Sequence, residues 1–555
     1  MKQSIQRLIS TTPARWQPAI FNAIDRQSRE KASDAKRNES AGLKRTDWVQ
    51  RYIAFNQKHV DAHVRKPEGL ILIDCFPAPH WVIANSIFLN VLAKQQNASI
   101  ASYGSLDRSS ALDEIYTSFG ANQHLLVHLT QGQHRKCAEM FRRVCADIRS
   151  PEDLYKLTID DVWLGLDIYE STLRLGKATI DIHDYHTRYN LYQALTYFIF
   201  FTDIVKAGRI KAIVLSHDCY LQMGTPMKIA HRHNIPVYFA NPFEIMRSTR
   251  THDIYEKFKK YPEYFTAIGE ASRNSLVEKA SHALSRRLGG VVGVDMSYQT
   301  KSAFAGASLL RQTHHSAKLK ILVATHCFYD NPHAYSRMTF RDFYQWMEFL
   351  GEISTRTDYD WYIKPHPDYL PGTLEILNDF ARKYSKFKVI NPETSFHQLR
   401  QEGVAVALTC YGSVGHELPL LGYRVINATY NPHSAYTFNT HCTNEEAYAE
   451  VLMHLNEPAP AADLSQIYEF YAVHHYLVRS DSMLFQSFAD YEAYVGCDLM
   501  SDRGYAYFML AAEQNLARYR ARAEAFLAAD CHYEFELRLP NWQPQTHNFP
   551  VNEPN

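Results

Sequence analysis

The chain has no charge of either sign to spare: 59 Lys and Arg are balanced by 59 Asp and Glu, and the pI is near 7.4. Without a net field nothing gathers polyanions over a distance, which argues against nucleic-acid binding as a main activity. Long apolar runs are also missing. The longest, Ala194 to Val205, includes Thr, Tyr and Asp and falls well short of the ~20 residues that a membrane span needs. No continuous apolar core stands near the N-terminus ahead of a small-residue cleavage site, so a cytoplasmic protein without a secretory signal is expected. The nine cysteines contain no Cys-x-x-Cys pair and are odd in number, which argues against a disulfide framework and against structural zinc. Among the 27 histidines no His-Glu-x-x-His occurs. His183 with His186 and His231 with His233 have ligand chemistry, but solvated or hydrogen-bonded roles fit them better, and no metal site or cofactor is expected. Neither Gly-x-Gly-x-x-Gly nor the Walker glycine-lysine loop is present, which disfavours a nicotinamide site or an ATPase.

What the sequence does contain is core. Of 555 residues, 46% are hydrophobic and 21% charged, enough for two to four packed domains. Residues 1–60 read as two or three amphipathic helices with a polar connection near Asp34 to Gly42. Within 61–300, apolar runs at Gly69 to Cys75, Ala98 to Ser102, Ile210 to Leu215 and Ile235 to Ala240 read as strands of an α/β domain, with helical insertions at Ser150 to Leu175 and His186 to Lys206. The polar stretch Tyr298 to Lys318 reads as a hinge or linker. From 318 to 458, strands at Leu319 to Thr325, Asp360 to Lys364, Phe387 to Ile390, Val404 to Thr409 and Arg424 to Ala428 alternate with helices, as in a doubly wound parallel sheet. Residues 459–555 read as a helical extension.

Ligands of open parallel sheets bind beyond the carboxyl ends of the strands, where loops and helix N-termini face a crevice. The polar signals of the second block fall at those ends. Lys364, His366 and Pro367 follow one strand directly, and prolines there hold the lysine and imidazole in one orientation, suited to a phosphate. Thr409, Gly412, Ser413 and Val414 leave a later strand with small residues and a hydroxyl at a helix start, and Glu417 follows within that helix, placed for a ribose or base. His326 and Asn331, after the first strand of the block, are further candidates to line the donor pocket. In the first block, His217 and Asp218 follow the Ile210 to Leu215 strand, and Asp218 is the expected catalytic carboxylate: general base if configuration inverts, nucleophile if it is retained. Asp74 and His80 flank the other strand exit and read as a turn aspartate and a helix-start histidine. Asp358-Tyr359-Asp360 reads as a turn at the wrong end of its strand for the cleft.

The runs 321–372 and 408–428, with His366-Pro367 and Ser413 inside them, resemble the donor-binding half of bacterial capsule and surface-polysaccharide glycosyltransferases of the GT-B fold, related to transferases that use CMP-Kdo or CMP-sialic acid. The resemblance covers residues 319 to 455 and extends to the first half by architecture alone. It implies two Rossmann-like doubly wound domains facing a cleft, with helical N-terminal and C-terminal additions. It also implies a nucleotide-sugar donor whose phosphate is held by His366-Pro367 and Ser413, a glycan or lipid-linked glycan acceptor, and no obligatory metal. A polyol-phosphate transferase of the CDP-glycerol or CDP-ribitol type, and a non-catalytic scaffold that binds nucleotide sugar or glycan, remain alternatives. The basic run Leu516 to Ala525 reads as a solvated helix face, with attachment to anionic lipid on the cytoplasmic face of the inner membrane as the other reading.

Overall fold

The computed structural model describes residues 2–39, 47–60, 64, 66–76, 78–104, 110–295, 299–306, 310–335, 338–495, 502–529 and 531–540. Two sheets organise them. The first lobe contains β1 (Gly69–Asp74), β2 (Ala98–Gly104), β3 (Ala121–Leu126), a small hairpin β4 (Thr158–Ile159) and β5 (Val162–Trp163), then β6 (Ile210–Val214), β7 (Val237–Ala240) and β8 (Ile245–Ser248). Its main sheet runs β3-β2-β1-β6-β7-β8, parallel except for β8, which pairs antiparallel with β7. The second lobe contains β9 (Lys320–Ala324), β10 (Asp360–Lys364), β11 (Phe387–Val389), β12 (Val404–Thr409), β13 (Arg424–Asn427) and β14 (Thr440–His441). Here the order is β11-β10-β9-β12-β13-β14 and every pairing is parallel. The expected α/β class, two doubly wound Rossmann-like lobes with helical additions, is the fold of the chain.

The middles of the central strands are apolar because helices cover both faces of a parallel sheet. All five residues of β9 are buried, as are five of the six in β12. In each lobe the strand order reverses once, between β1 and β6 and between β9 and β12. Those reversals open the two crevices at the carboxyl ends of the strands.

Helix boundaries follow local chemistry. Helix Pro79–Gln96 begins with Pro at its first turn and ends at Asn97, whose φ of 49° is left-handed. Asp342 caps helix Phe343–Arg356 by accepting from the Gln345 N–H, and the same buried carboxylate accepts from the Thr179 hydroxyl of the first lobe at 2.8 Å. The lobes also touch through Arg174 and Asp330 at 3.0 Å, and through Tyr155 and His333 at 3.1 Å.

Several sequence expectations need correction. The helical stretch expected from Ser150 to Leu175 holds two short helices, Pro151–Tyr155 and Gly165–Leu173, but the β4–β5 hairpin separates them; Asp160 and Asp161 turn it with φ of 49° and 61°. The N-terminal helix Gln17–Glu39 continues through Asp34, so the polar connection begins later, and residues 40–46 lie outside the described set. The expected hinge is pinned to the second lobe rather than free: Phe304 is buried, the Ala303 carbonyl accepts from the Phe396 N–H, and Glu402 accepts from the Gln312 and Thr313 N–H groups.

After residue 458 the described chain is helical and returns to both lobes. Phe470 and Tyr471 of helix Ser465–Tyr471 pack with Tyr261 and Leu284. The long helix Asp502–Ala528 lies on helix Pro79–Gln96, where the Tyr519 hydroxyl donates to the Ala84 carbonyl at 2.9 Å. Its arginines are engaged inside the molecule: Arg518 and Arg522 each reach Asp481 at 2.8 Å. Among the described residues no helix is long and apolar enough to cross a membrane.

Candidate functional site

The first wall is built at the exits of β1 and β6. Asp74, at the end of β1, is buried and accepts from the backbone N–H (2.9 Å) and the hydroxyl (2.5 Å) of Ser216, which ties the two strands together where the order reverses. Burial pushes its carboxyl up to about 6, against those two hydrogen bonds. Its role is to join strands, as a group facing β6 rather than the crevice.

His217 and Asp218 do not act as a pair. His217 lies against Phe76 and Trp81, with ring centroids 4.9 and 5.4 Å away, and its buried Nδ1 has no partner among the described residues. Burial lowers its pKa, and that of neighbouring His80 falls to about 4. Asp218 instead meets Tyr255, whose hydroxyl donates to Oδ1 at 3.0 Å. Burial pushes this carboxyl up to about 7; the Tyr255 hydrogen bond pulls it down, and the Glu170 and Asp253 charges push it further up. The chain then enters a π-helical turn, Tyr220–Gly224, in which Tyr220 has a left-handed φ of 62°. That strained peptide points its N–H at the Glu170 carboxylate (3.3 Å) and its hydroxyl at Asp330 of the second lobe (3.4 Å). Glu170 is buried and stands 3.3 Å from His333. These groups escaped sequence reasoning because Glu170 and Tyr255 sit inside apolar and aromatic surroundings that carry no motif.

The second wall is built at the exits of β9, β10 and β12. The Thr409 hydroxyl accepts from the Gly412 N–H at 3.2 Å and lies 3.0 Å from His326 Nε2, which also accepts from the Cys410 N–H at 3.3 Å. With Nε2 accepting, His326 carries its proton on Nδ1. Burial and neighbouring His366 drive its pKa down to about 3, and its ring stacks on Phe343 at 4.7 Å. The structure thus joins His326, Thr409 and Gly412 as one scaffold. A Cβ at Gly412 would meet Thr409 Oγ1 at 3.0 Å and the His326 ring at 3.3 Å, so a side chain there would press on both by a few tenths of an ångström.

His366 is exposed. Its Nδ1 accepts from the Asp368 N–H at 3.1 Å, and Nε2 has no partner among the described residues. Packing lowers its pKa, against the pull of the Asp368 and Glu417 charges. At neutral pH it therefore offers an Nε2–H donor as a neutral ring. Pro367 is half-buried beside it. Ser413 is half-buried, and its Oγ accepts from Arg287 at 3.3 Å, leaving the hydroxyl proton free to donate outward.

The remaining candidates behave differently from the expectation. Lys364 is buried; its ammonium donates to the Pro392 carbonyl at 2.8 Å and packs over the Phe396 ring, and burial lowers its pKa to about 8. It braces the loop beyond β11 and does not reach for a phosphate, because strand alternation sends the last residue of β10 into the lobe. Glu417 is buried against Arg287, which also holds Asp295 at 2.7 Å, so no free carboxylate faces a ribose. Asn331 turns its Oδ1 onto the His333 N–H at 2.8 Å, and its carbonyl accepts from the Tyr411 hydroxyl at 2.9 Å. Val414 packs partly into the core below β12 and opens a helix of a single turn, Val414–Glu417, which passes into a 3-10 turn at Leu418–Leu421. A helix that short offers little dipole.

An aromatic chain connects the walls. The Tyr255 ring meets Tyr335 at 5.8 Å, Tyr335 meets Tyr411 edge-on at 5.2 Å, and Tyr411 meets His326 at 4.7 Å. The exits of β6 and of β9 and β12 are therefore joined, with Asp218 on one side and the His326 and Tyr411 loops on the other. Asp360 opens β10 at the opposite end and Asp358 pairs with Lys318, as a turn would. Neither histidine pair considered from sequence joins a larger ligand cluster. Among the described residues the one group of three potential metal ligands is Asp295, His416 and His475.

No family model and no curated protein matches the chain. Solved structures that match include the beta Kdo 2,4 transferase KpsC of Thermosulfurimonas dismutans, at 12% identity over 47% of this chain and 79% of that one, with a TM-score of 0.27. The UDP-GlcNAc 2-epimerase of Neisseria meningitidis, bound to UDP-GlcNAc, matches at 11% identity over 73% of this chain and 93% of its own, with a TM-score of 0.21. A glycosyltransferase of Rickettsia africae matches at 9% identity over 74% and 95%, with a TM-score of 0.22. Likeness at that level fixes neither family nor activity.

Proposed function

We propose that the protein is a GT-B glycosyltransferase of bacterial surface-polysaccharide assembly, which takes a sugar from a nucleotide-sugar donor of the CMP-Kdo class and passes it to a glycan acceptor. The observation that supports the reading is the aromatic chain that joins Asp218 and Tyr255 of one lobe to the His326 loop of the other, a loop whose neighbour His366 keeps an uncommitted Nε2. Asp218 titrates where a general base is most effective. The Nε2–H of His366 and the hydroxyl of Ser413 are free to meet phosphate oxygens, on which negative charge grows as the nucleotide leaves.

In this reading the donor phosphate rests on His366 and Ser413, while the acceptor hydroxyl lies near Asp218. The acceptor oxygen bonds to the anomeric carbon, its proton passes to Asp218, and the bond to phosphate breaks with its electron pair leaving on the nucleotide. Tyr255 steadies the carboxylate form of Asp218 before the proton arrives.

The test combines thermal-shift titration with CMP, CDP, UDP and GDP and their sugars with product analysis on glycan acceptors. A stabilising nucleotide and a glycosylated product are expected, and Asp218→Asn should remove turnover while leaving nucleotide binding intact. Transfer of a phosphate-linked polyol would replace this reading by the polyol-phosphate transferase, and no response to any nucleotide would remove the donor site.

A further inference from the structure

Behind the Ser413 wall lies a buried group with ligand chemistry that the proposed transfer does not use. Asp295, His416 and His475 are all buried, and one potential ligand atom from each lies within 4.8 Å of the other two. They come from three separate segments: the loop after helix Glu270–Leu288, the single turn Val414–Glu417, and the π-helical segment Ala472–Leu477. His475 Nε2 stands 3.9 Å from Asp295 Oδ2. That oxygen also accepts from the Tyr471 hydroxyl at 3.3 Å, while Oδ1 is held by Arg287.

Nε2 of His416 has no hydrogen-bond partner among the described residues, and His475, whose Nε2 faces Asp295, leaves its far Nδ1 unpartnered as well. A buried polar atom left in that state is costly, and native interiors seldom keep one without a bound group. The other nitrogen of His416 is already oriented: its Nδ1 lies 3.0 Å from His433 Nε2, the kind of outer contact that fixes the tautomer of a metal-binding histidine.

We infer that Asp295, His416 and His475 form a three-ligand site for a divalent transition ion of the zinc class, with water completing the coordination. Two imidazoles and a carboxylate suit such an ion. Ligand atoms around tetrahedral zinc stand about 3.4 Å apart given bonds of about 2.1 Å. The ion would draw the three inward by about 1 Å, a shift within reach of side-chain rotation. Its place in the molecule gives it a structural role: Arg287 touches both Asp295 and Ser413, so an ion on Asp295 would fix the guanidinium that presents the Ser413 hydroxyl.

The test uses the full chain without a histidine tag, stripped with chelator and then titrated with Zn2+ or Co2+. About one ion per chain is expected, with visible Co2+ absorption bands and a melting temperature raised by several degrees. His475→Ala and His416→Ala should lose stoichiometric binding, and His433→Gln should weaken it about 10–100-fold. Exposed His183→Ala serves as the unaffected comparison. If the stripped wild-type chain takes up no stoichiometric ion and its melting temperature does not move, the site does not exist. Retention of the ion by a folded His475→Ala chain would place it elsewhere and overturn the assignment equally. The wild-type cobalt titration decides the matter even if the alanine variants fail to fold.

Discussion

Tyr255 holds Asp218 with its hydroxyl at 3.0 Å, while its backbone carbonyl accepts from the Tyr430 hydroxyl of the second lobe at 3.1 Å. One residue thus sets the charge state of the cleft carboxylate and anchors it to the facing lobe. Because the hydroxyl favours the ionised form, its removal lets burial act unopposed. If Asp218 is the base, kcat/KM should rise with pH through about 7, and Tyr255→Phe should move that inflection to higher pH. A pH–rate profile of the two proteins decides it: an inflection that stays in place would take Tyr255 out of this role.

The second wall makes a contrasting pair of predictions. His366→Ala removes an open donor and should weaken nucleotide affinity by about tenfold, the effect of one hydrogen bond to a charged group. Lys364→Met keeps the packing over Phe396 and removes an ammonium already committed to Pro392, so nucleotide affinity should hold while stability falls. Calorimetric titration of both variants separates them. A larger affinity loss in Lys364→Met would mean that the lysine turns outward when donor binds.

Arg287 is the single guanidinium between two buried carboxylates, Glu417 and Asp295, and its pKa is raised by them despite the cost of burial. Arg287→Met would leave both acids without their partner, at a cost of about 3–5 kcal/mol. Arg287→Lys should rescue little, since one ammonium cannot reproduce the fork that reaches Glu417, Asp295, Gln299 and Ser413. Chemical denaturation of the two variants is the measurement, and near wild-type stability in Arg287→Met would show the acids to be neutral.

Asp74 supplies a stability prediction with a defined sign. Its folded pKa of about 6 exceeds the ordinary 3.8, so the folded state holds the proton more tightly. The stabilisation is complete below about pH 4 and is lost as pH rises through about 6. Ser216→Ala removes a hydrogen bond to the ionised form, so it should cost little at pH 4 and about 1–3 kcal/mol at pH 7. Equal losses at both values would indicate that Asp74 stays protonated throughout.

The central strands were legible because burial on both faces writes them as mostly apolar runs: β10 and β12 match their expected bounds, and β1, β6, β9 and β13 differ by a residue or two. Of the four edge strands only β11 was, expected at Phe387 to Ile390 and found at Phe387–Val389. In β3 the sequence Ala-Asn-Gln-His-Leu-Leu faces solvent along one side, and β8 and β14 are too short for a periodic signal. In the site, sequence position gave the strand exits but not the direction of each side chain. His217 and Asp218 are neighbours that diverge, and Lys364 and His366, two apart, separate into interior and cleft. What turned Glu417 away from the cleft was Arg287, about 130 positions earlier, a pairing with no local trace.

The return of the chain after β14 has a consequence for its handling. Ser465–Tyr471 covers Tyr261 and Leu284, and the final long helix shields the helix that follows β1. A version cut before residue 465 would keep both sheets complete yet lay bare the oily helix surface that Tyr261, Leu284 and the helix after β1 present, so it should be recovered as aggregate rather than as a minimal catalyst.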